Sequence, residues 1–442
     1  MKFGGSSLAN TGRFHSVAEI VRTQLHHRPV LVLSAIGDTT DLLLEAGEEA
    51  IKNGVVDIER IEKLHLGIIA EMKLNDAVST EIKPLLEELK SLLTGISLIK
   101  ELTARTRAYL VSFGERLSVR IAAAYFSSIG IKAQAADAWD MGFLSDSNFT
   151  YAELKDESWE LIPNKFLSLG DNILQIVTGF IAKDENGNIT TLGRGGSDLT
   201  ATMLAAACGA REVQVWKDVD GILSADPRIV KNALPVKIIT YEEAIALAYF
   251  SDQVLHPRAI QPCRKAKIPI LVKNSYNPQA SGTRIVMTAD GKTNPIKAIA
   301  FRKNATLVDM VSYRMHGQYG FLAELFSYFA RHCMSIDMVA TSEVSVSILL
   351  DMNYDLSVIK EELSRIASVS ISPGKAIVAI IGDIGRSSEI LSHSLRICEH
   401  LGVQIQMISQ GGSKVNLNFI MDVDKVEEVV EKLHRDFFED SK

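Results

Sequence analysis

The sequence predicts an α/β protein in which a mostly parallel sheet is sandwiched by helices and followed by two βαββαβ units. Over about 285 residues, short β-branched runs alternate with longer helical patterns, which is typical of parallel sheets covered on both faces. Nearer the carboxyl terminus, a helix–strand–strand pattern recurs after roughly 70 residues. That recurrence fits two small α+β units in tandem.

The elements of the first part follow from runs of apolar residues and from their end signals. Helices are predicted over residues 117–128 and 199–207, which end at Gly130 and Gly209. Thr240 and Glu243 have the spacing of a capping box at the start of an Ala-rich helix. The pattern over residues 56–108 is almost wholly helical and predicts a projecting lobe. Buried strands are predicted at residues 29–34, 173–178, 213–216 and 269–272.

The two later units follow a turn-rich linker over residues 277–283 and a polar stretch over 288–294. The first repeat is predicted as a helix over 321–332 with strands at 335–339 and 344–351, and the second as a helix over 389–400 with strands at 403–408 and 415–422. We therefore expect a catalytic domain over 1–287, with the helical lobe at 56–108, and small domains over 298–372 and 373–442. Exchange of strands between the two small domains stays open.

Composition excludes several classes of protein. The chain has 442 residues, 47% of them hydrophobic, and a net charge of −7, which argues against wholesale disorder and against a general nucleic-acid binder. Its four cysteines are scattered, so zinc sites and a disulfide framework are not expected. Because no apolar run approaches 18 residues and no secretory signal opens the chain, we expect no membrane association and a cytoplasmic location.

Three glycine-rich segments lie where strands are expected to turn into helices, at residues 3–7, 34–40 and 193–198. Glycine lets backbone N–H groups approach an anion closely, and a helix N-terminus adds partial positive charge. One such loop is often only a tight turn, but three in one domain favour phosphate handling. The sequence contains neither a GxxxxGK[ST] loop nor a GxGxxG loop after a strand.

Charged residues near these loops each have two interpretations. Lys2 is either a ligand of a transferring phosphoryl group or a surface lysine, and Arg194 can offer its planar guanidinium to a carboxylate or phosphate. Asp198 and Glu115 are either charge partners in such a site or acids in ordinary helical positions. Residues 216–221 and 226–228 form either a nucleotide-binding edge or a solvated loop.

Together these motifs resemble those of the aspartate kinases, a branch of the amino acid kinase family. The opening Lys2–Ser7 resembles KFGG[ST]S, and residues 193–198 resemble GRGGSD. The remaining matches are Ser34-Ala35 with Thr40, Phe113-Gly114-Glu115, residues 217–221 with 226–228, and Val254-Leu255-His256-Pro257. The carboxyl-terminal repeat resembles paired ACT domains of the lysine-sensitive, monofunctional type. Lys217-Asp218 and Gln253 are most similar to plant-type members, although no transit peptide precedes them.

The resemblance implies ATP-dependent phosphorylation of the L-aspartate β-carboxylate, the first step towards lysine, threonine, methionine and diaminopimelate. Mg²⁺ is expected to arrive with ATP rather than in a protein cage. The residues implied as catalytic are Lys2 and Asp198. Those implied for substrate binding are Ser34, Thr40, Glu115, Arg194 and Ser197, with Arg194 on the α-carboxylate and Glu115 on the ammonium group. Those implied for the nucleotide are Lys2, Gly4, Gly5, Ser6, Lys217, Asp218, Leu223, Arg228 and Gln253.

The ACT resemblance also implies an amino-acid effector and a homodimer formed through the ACT domains. L-lysine is favoured as the effector, while threonine and a second, nucleoside-type ligand stay open. Lysine carries an ε-ammonium group that Asp337 or Glu343 could pair with, although Asp337 alone would be interpreted as a surface acid. The implied effector residues are Met315, Gly320, Ser335, Ile336, Asp337, Thr341, Ser342 and Glu343.

This sequence departs from the family pattern at three places. The strand before Lys2 is nearly absent, Gln253 replaces a common lysine, and Leu223 stands where some members have tyrosine. Two alternatives stay open: another amino acid kinase, such as a glutamate 5-kinase-like enzyme, and a catalytically inactive amino-acid sensor. The length argues against a fused homoserine dehydrogenase.

Overall fold

The computed structural model describes residues 1–168, 172–251, 254–289, 295–351, 354–383, 385, 387–410 and 415–439. The chain divides into two compact units. The first contains Met1–Ile222, Lys237–Ala248 and Asp252–Ala289, and the second contains Leu223–Val236, Tyr249–Ser251 and Asp290–Lys442. Each unit is therefore built from segments that are separated in sequence. Gln253, predicted to contact the nucleotide, lies outside the described residues.

The first unit contains an eight-stranded sheet and one separate hairpin. Its strands are β1 (Lys2–Phe3), β2 (Leu31–Leu33), β3 (Ala133–Ala136), β4 (Leu174–Thr178), β5 (Ile181–Lys183), β6 (Ile189–Thr191), β7 (Val213–Lys217), β8 (Ile238–Thr240), β9 (Ile270–Asn274) and β10 (Thr283–Val286). The sheet order is β3-β4-β2-β1-β7-β9-β10-β8, and β5 pairs with β6. Within the sheet, only the β9–β10 pair is antiparallel. The predicted mostly parallel sheet is confirmed.

Nine α-helices are described in this unit. They are α1 (Thr11–Gln24), α2 (Thr39–Asn53), α3 (Glu59–Glu71), α4 (Asp76–Ile99), α5 (Ala104–Ser128), α6 (Ser158–Leu167), α7 (Gly196–Ala207), α8 (Tyr241–Ala248) and α9 (Pro257–Ala266). The helical pattern predicted over 56–108 is observed as α3, α4 and the start of α5, and their apolar faces join the core of α1, β1 and β2. All five residues of β4 and the first ten of α7 are buried.

The capping box predicted at Thr240 is confirmed, because both reciprocal hydrogen bonds form. The amide of Thr240 donates to Oε2 of Glu243 at 2.7 Å. The amide of Glu243 donates to Oγ1 of Thr240 at 3.3 Å. These bonds satisfy two backbone donors that the first turn of α8 would otherwise leave free.

The second unit contains one six-stranded antiparallel sheet. Its elements are β11 (Ile296–Val311), α10 (Phe321–Arg331), β12 (Ile336–Thr341), β13 (Ser345–Asp351), α11 (Leu356–Leu363), β14 (Ser368–Gly382), α12 (Ser387–His400), β15 (Met407–Gln410), β16 (Asn416–Asp422) and α13 (Val426–His434). The sheet order is β12-β13-β11-β14-β16-β15. Both predicted helix–strand–strand repeats are therefore present in this sheet.

The long strands β11 and β14 belong to both repeats. Residues 305–311 of β11 pair with β13, and residues 375–381 of β14 pair with β16. β11 and β14 also pair with each other along their length, with register shifts near Arg302 and Ala305. The first repeat thus takes residues 305–311 and 368–372, while the second takes 375–382 and 296–302. Strands are shared between the repeats, a question that the sequence left open.

The strand predicted at 403–408 is observed at 407–410, which is a correction. Val403 and Ile405 pack against the apolar core that includes residues of α12 and α13, so their β-branched side chains are partly buried without strand pairing. Gln406 makes one backbone hydrogen bond to Ile420 just before the strand begins. No helix in the described part of the chain is both long and apolar enough to cross a membrane.

Candidate functional site: glycine loops around a buried ion pair

Loops from neighbouring parallel strands meet at the carboxyl edge of the first sheet. β1 lies between β2 and β7, so the segments after these strands, which begin at Gly4, Ser34 and Asp218, leave the sheet side by side. Ligands of open α/β sheets bind at this edge. The third predicted glycine loop, residues 193–198, runs directly into α7.

The first two glycine loops touch through their backbones. A Cβ atom added at Gly5 would lie 2.8 Å from the carbonyl oxygens of both Ala35 and Gly37, and the amide of Gly37 donates to the Gly5 carbonyl at 3.1 Å. No residue other than glycine fits at this position without moving one of the loops. The close approach therefore fixes how the two loops lie against each other.

A buried ion pair joins the opening segment to α7. The Lys2 ammonium group lies 2.7 Å from Oδ1 of Asp198, and the two side chains are 10% and 8% exposed. Burial tends to raise the pKa of Asp198, but Lys2 and then Lys217 hold that pKa below its ordinary value. Asp198 is therefore charged at neutral pH, and it orients the Lys2 ammonium group.

Hydrogen bonds extend this pair into a network with the second loop. Ser197, adjacent to Asp198, accepts a hydrogen bond from the hydroxyl of Ser34 at 3.0 Å. The amide of Ala35 donates to Oε1 of Glu115 at 3.1 Å. The structure thus brings Lys2, Ser34, Glu115, Ser197 and Asp198 together from four separate segments of the chain.

Glu115 is a buried carboxyl with an unusual proton affinity. It is 3% exposed, and Oε2 has no hydrogen-bond partner among the described protein atoms. Burial raises its pKa to about 8, although the hydrogen bond from Ala35 and the charge of Lys2 act in the opposite direction. A cation placed beside this carboxyl would favour its ionised form.

One buried serine that sequence reasoning missed links three parts of the site. Ser275 lies 1% exposed just after β9, and its hydroxyl donates to the Lys217 carbonyl at 3.0 Å. It lies 2.7 Å from the Ser7 hydroxyl and accepts from the Arg13 guanidinium at 3.1 Å. Its position in the sequence could have indicated this role. Ser275 follows β9, the neighbour of β7 in the sheet, and the carboxyl ends of both strands face the same edge.

The other predicted kinase-site residues are distributed over both units. In the first unit, Thr40 lies in the first turn of α2, while Arg194 and Asp218 are exposed. Lys217 donates to the Val254 carbonyl at 3.1 Å. Leu223 and Arg228 belong to the second unit, where Leu223 pairs with Pro235 and Arg228 forms an ion pair with Asp226.

The predicted effector residues separate into two groups along β12. Ser335, Ile336 and Asp337 lie at its start, and Thr341, Ser342 and Glu343 lie at its end, about 13 Å along the strand from Asp337 to Thr341. Arg302 lies 3.8 Å from the Asp337 carboxylate. Met315 ends a short 3₁₀ turn, and Gly320 directly precedes α10.

No group of three or more His, Cys, Asp or Glu side chains that could hold a metal ion occurs in the described ranges. In the third glycine loop, the Asp198 carboxylate is paired with Lys2.

Comparisons with known proteins agree with this architecture. The amino acid kinase family matches residues 1–274, and the ACT domain matches residues 378–437. Aspartokinase 1, chloroplastic, from Arabidopsis thaliana is 46% identical over 99% of this chain and 80% of its own length.

Two solved structures of E. coli aspartokinase III resemble the whole chain. The complex with aspartate and ADP, in the R-state, has a TM-score of 0.82 at 33% identity and covers 99% of both chains. The complex with lysine and aspartate, in the T-state, has a TM-score of 0.80 at 34% identity with the same coverage. The chain belongs to the aspartokinases of the amino acid kinase family, and it is an aspartate kinase with a carboxyl-terminal ACT region.

Proposed function

We propose that the chain transfers the γ-phosphoryl group of ATP to the β-carboxylate of L-aspartate, giving 4-phospho-L-aspartate and ADP. The observation that carries the proposal is the buried Lys2–Asp198 ion pair beside the backbone-locked glycine loops. A related enzyme solved with aspartate and ADP supports it. The product enters amino-acid biosynthesis, at the first step towards lysine, threonine, methionine and diaminopimelate.

The chemistry requires charge neutralisation and alignment rather than a strong base. A β-carboxylate oxygen is already nucleophilic, and it attacks the γ-phosphorus while the bond to the ADP oxygen breaks and the electron pair leaves with ADP. Lys2, oriented by Asp198, faces the negative charge of the transferring group. The amides of Gly4, Gly5 and Ser6 add further donors.

The substrate is held by its other charged groups. Arg194 binds the α-carboxylate through its planar guanidinium, which can donate two parallel hydrogen bonds. Glu115 binds the ammonium group, and Ser34, Thr40 and Ser197 position the side chain. This division leaves the β-carboxylate directed towards Lys2.

The nucleotide lies along the loop that follows β7. Lys217 and Asp218 line it, and the nucleotide roles of Leu223, Arg228 and Gln253 are proposed from their sequence motifs alone. We expect Mg²⁺ to arrive with ATP rather than in a dedicated protein cage, held mainly by the nucleotide phosphates and water, where it would neutralise phosphate charge.

A hydroxamate assay with ATP, Mg²⁺ and either aspartate or glutamate tests this proposal. We expect product with aspartate, and we expect Arg194→Ala to lose it. Product with glutamate alone would support a different amino acid kinase. Absence of product with both substrates would support an inactive sensor. Arg284→Ala, which removes a half-exposed arginine paired with Glu212 in the first unit, is the matched control and retains activity.

We further propose feedback inhibition by L-lysine through a homodimer. β12 is an edge strand of the second sheet, and an unpaired edge is suited to pairing with another chain. Antiparallel pairing of β12 from two copies sets the Asp337 end of one beside the Thr341–Glu343 end of the other. Both predicted groups of effector residues then share one site, with acidic groups for the lysine ammonium.

Initial rates with and without millimolar lysine, together with sedimentation of the full chain, test this regulation. We expect lysine to weaken aspartate binding and Asp337→Asn to relieve the inhibition. Unchanged rates with lysine, or a monomer at assay concentration, would contradict the proposal. Asp355→Asn, at the start of α11, is the matched control that retains inhibition.

A further inference from the structure

Arg258 joins two loops that no motif connects. It is the second residue of α9, and its guanidinium donates to the carbonyl of Leu192 at 3.0 Å and to that of Ala152 at 2.7 Å. The same guanidinium lies 3.9 Å from the centroid of the Tyr151 ring. One cation thus holds the chain just before the 193–198 loop against the chain around Tyr151.

The Tyr151 ring in turn covers Gly193. A Cβ atom added at Gly193 would lie only 2.2 Å from Cδ2 of Tyr151, and the φ of Gly193 is +72°. The ring therefore rests on the glycine Cα, in a place that any side chain would occupy. Arg258, Tyr151 and Gly193 form a stack, which we call the Arg258–Tyr151 clamp.

Arg194 is the residue next to this stack. Its side chain is exposed, and it stands between Gly193 and Gly195, which both have positive φ. Because glycines lie on both sides of Arg194, its backbone has great conformational freedom. Contacts from outside the loop therefore fix the backbone position from which the Arg194 side chain extends. The clamp supplies such contacts on the side that leads into the loop.

Electrostatics are consistent with this arrangement. The pKa of His256 is lowered by burial first, and then by the charges of Arg258 and Arg194. Both guanidinium groups therefore act on the same imidazole, at the start of α9. Its ring nitrogen Nδ1 accepts from the Arg258 amide at 3.3 Å, which helps to fix Arg258 in place.

We propose that the Arg258–Tyr151 clamp positions Arg194 and thereby sets the affinity for the α-carboxylate of the amino-acid substrate. This inference rests on the proposed function, in which Arg194 binds that group. Arg258 and Tyr151 are positioning residues, since they act through the loop backbone. Specificity for a free α-carboxylate then depends on residues that do not touch the substrate.

The test compares L-aspartate with its α-amide, in which the α-carboxylate is uncharged. Arg258→Lys keeps the charge but loses the planar fork that reaches both carbonyls, and Tyr151→Ala removes the ring. We expect each variant to raise the KM for aspartate about tenfold, as for partial loss of a charged hydrogen bond, with the KM for ATP changed less than twofold. With the α-amide, wild type and variants are expected to give equal KM values.

Two further variants separate positioning from a general structural effect. Tyr151→Phe keeps the ring on Gly193, so the KM of this variant for aspartate is expected to stay within twofold of the wild-type value. Lys265→Ala removes another cation that lies over an aromatic ring from α9, 4.7 Å from the Trp159 centroid, and leaves both KM values unchanged. Circular dichroism and thermal unfolding of each variant report whether its fold is retained.

An unchanged KM for aspartate in Arg258→Lys and Tyr151→Ala would overturn the inference. So would an equal rise in the KM for ATP, or the same penalty with the α-amide as with aspartate. Failure of the proposed function itself is distinguishable, because the wild-type enzyme would then make no aspartate-dependent product.

Discussion

Glu115 provides a sharp test of the substrate site because its proton affinity is so unusual. Burial raises its pKa to about 8, so at pH 7 about one site in ten carries the charge, and at pH 9 about nine in ten do. If only the ionised carboxylate binds the substrate ammonium, the apparent affinity scales with that fraction. The KM for aspartate should therefore fall about tenfold between pH 7 and pH 9 through this group.

The assay measures initial rates at saturating ATP for wild type and Glu115→Gln across this pH range. Glutamine fills the same volume and cannot ionise, and both enzymes share the titration of the substrate itself. The ratio of the variant KM to the wild-type KM isolates Glu115 and should rise about tenfold from pH 7 to pH 9. Loss of the charged contact also makes the variant KM higher at pH 9.

An independent readout is proton release on binding. Aspartate is titrated calorimetrically into the enzyme at pH 7 in two buffers of different ionisation enthalpy. Because Glu115 is mostly protonated before binding and ionised afterwards, nearly one proton should be released for each aspartate bound. A KM ratio that is flat with pH, or proton release equal in Glu115→Gln and wild type, would refute the assignment of Glu115 to the ammonium group.

Three other predictions concern the loops and their support. Gly5→Ala should lower kcat by at least about a hundredfold because its Cβ would collide with two loop carbonyls, while Gly67→Ala, where nothing lies within 4 Å, retains wild-type kcat. Asp198→Asn removes the partner of Lys2, so kcat should fall about a hundredfold. A wild-type kcat in this variant would contradict the ion-pair role. Thr240→Ala removes a cap and should cost about 1 kcal/mol, seen as a lower thermal midpoint with unchanged KM values.

The loops were predictable because their chemistry is local. Gly5, Ser34 and Asp198 lie in short motifs that follow expected strands, and parallel strands release their loops at one edge. The repeat in the second unit was predictable for a similar reason, since its helix and strand periodicities recur in order. Such patterns depend on neighbours in sequence, which a single chain displays directly.

Contacts between distant segments were not predictable in this way. Arg258 and Tyr151 are separated by more than a hundred residues. Each, taken alone, would be interpreted as an ordinary surface residue. Leu223 and Arg228 come directly after a motif predicted to form a nucleotide-binding edge, yet they belong to the second unit. No periodicity shows to which core a short loop segment belongs, because that choice is made by packing over the whole fold.

The pattern of apolar residues also led to a wrong start for β15, which was predicted at residue 403 and begins at Met407. Val403 and Ile405 are β-branched, as strand residues often are, but they are partly buried against the core of the second unit without joining a strand. Apolar pattern alone does not separate these outcomes.

The shared strands have a consequence for how the chain is made. The first ACT repeat is contiguous, but the second needs residues 296–302, which are synthesised before the first repeat begins. Residues 296–302 therefore stay unpaired until residues 377–382 of β14, their pairing partners, have also left the ribosome. A nascent chain stalled before this point exposes an apolar strand edge, the kind of surface that chaperones hold. A fragment beginning at residue 373 would permanently lack the β11 residues that pair with β14, so we expect the second ACT repeat to express poorly when it is cut at that boundary.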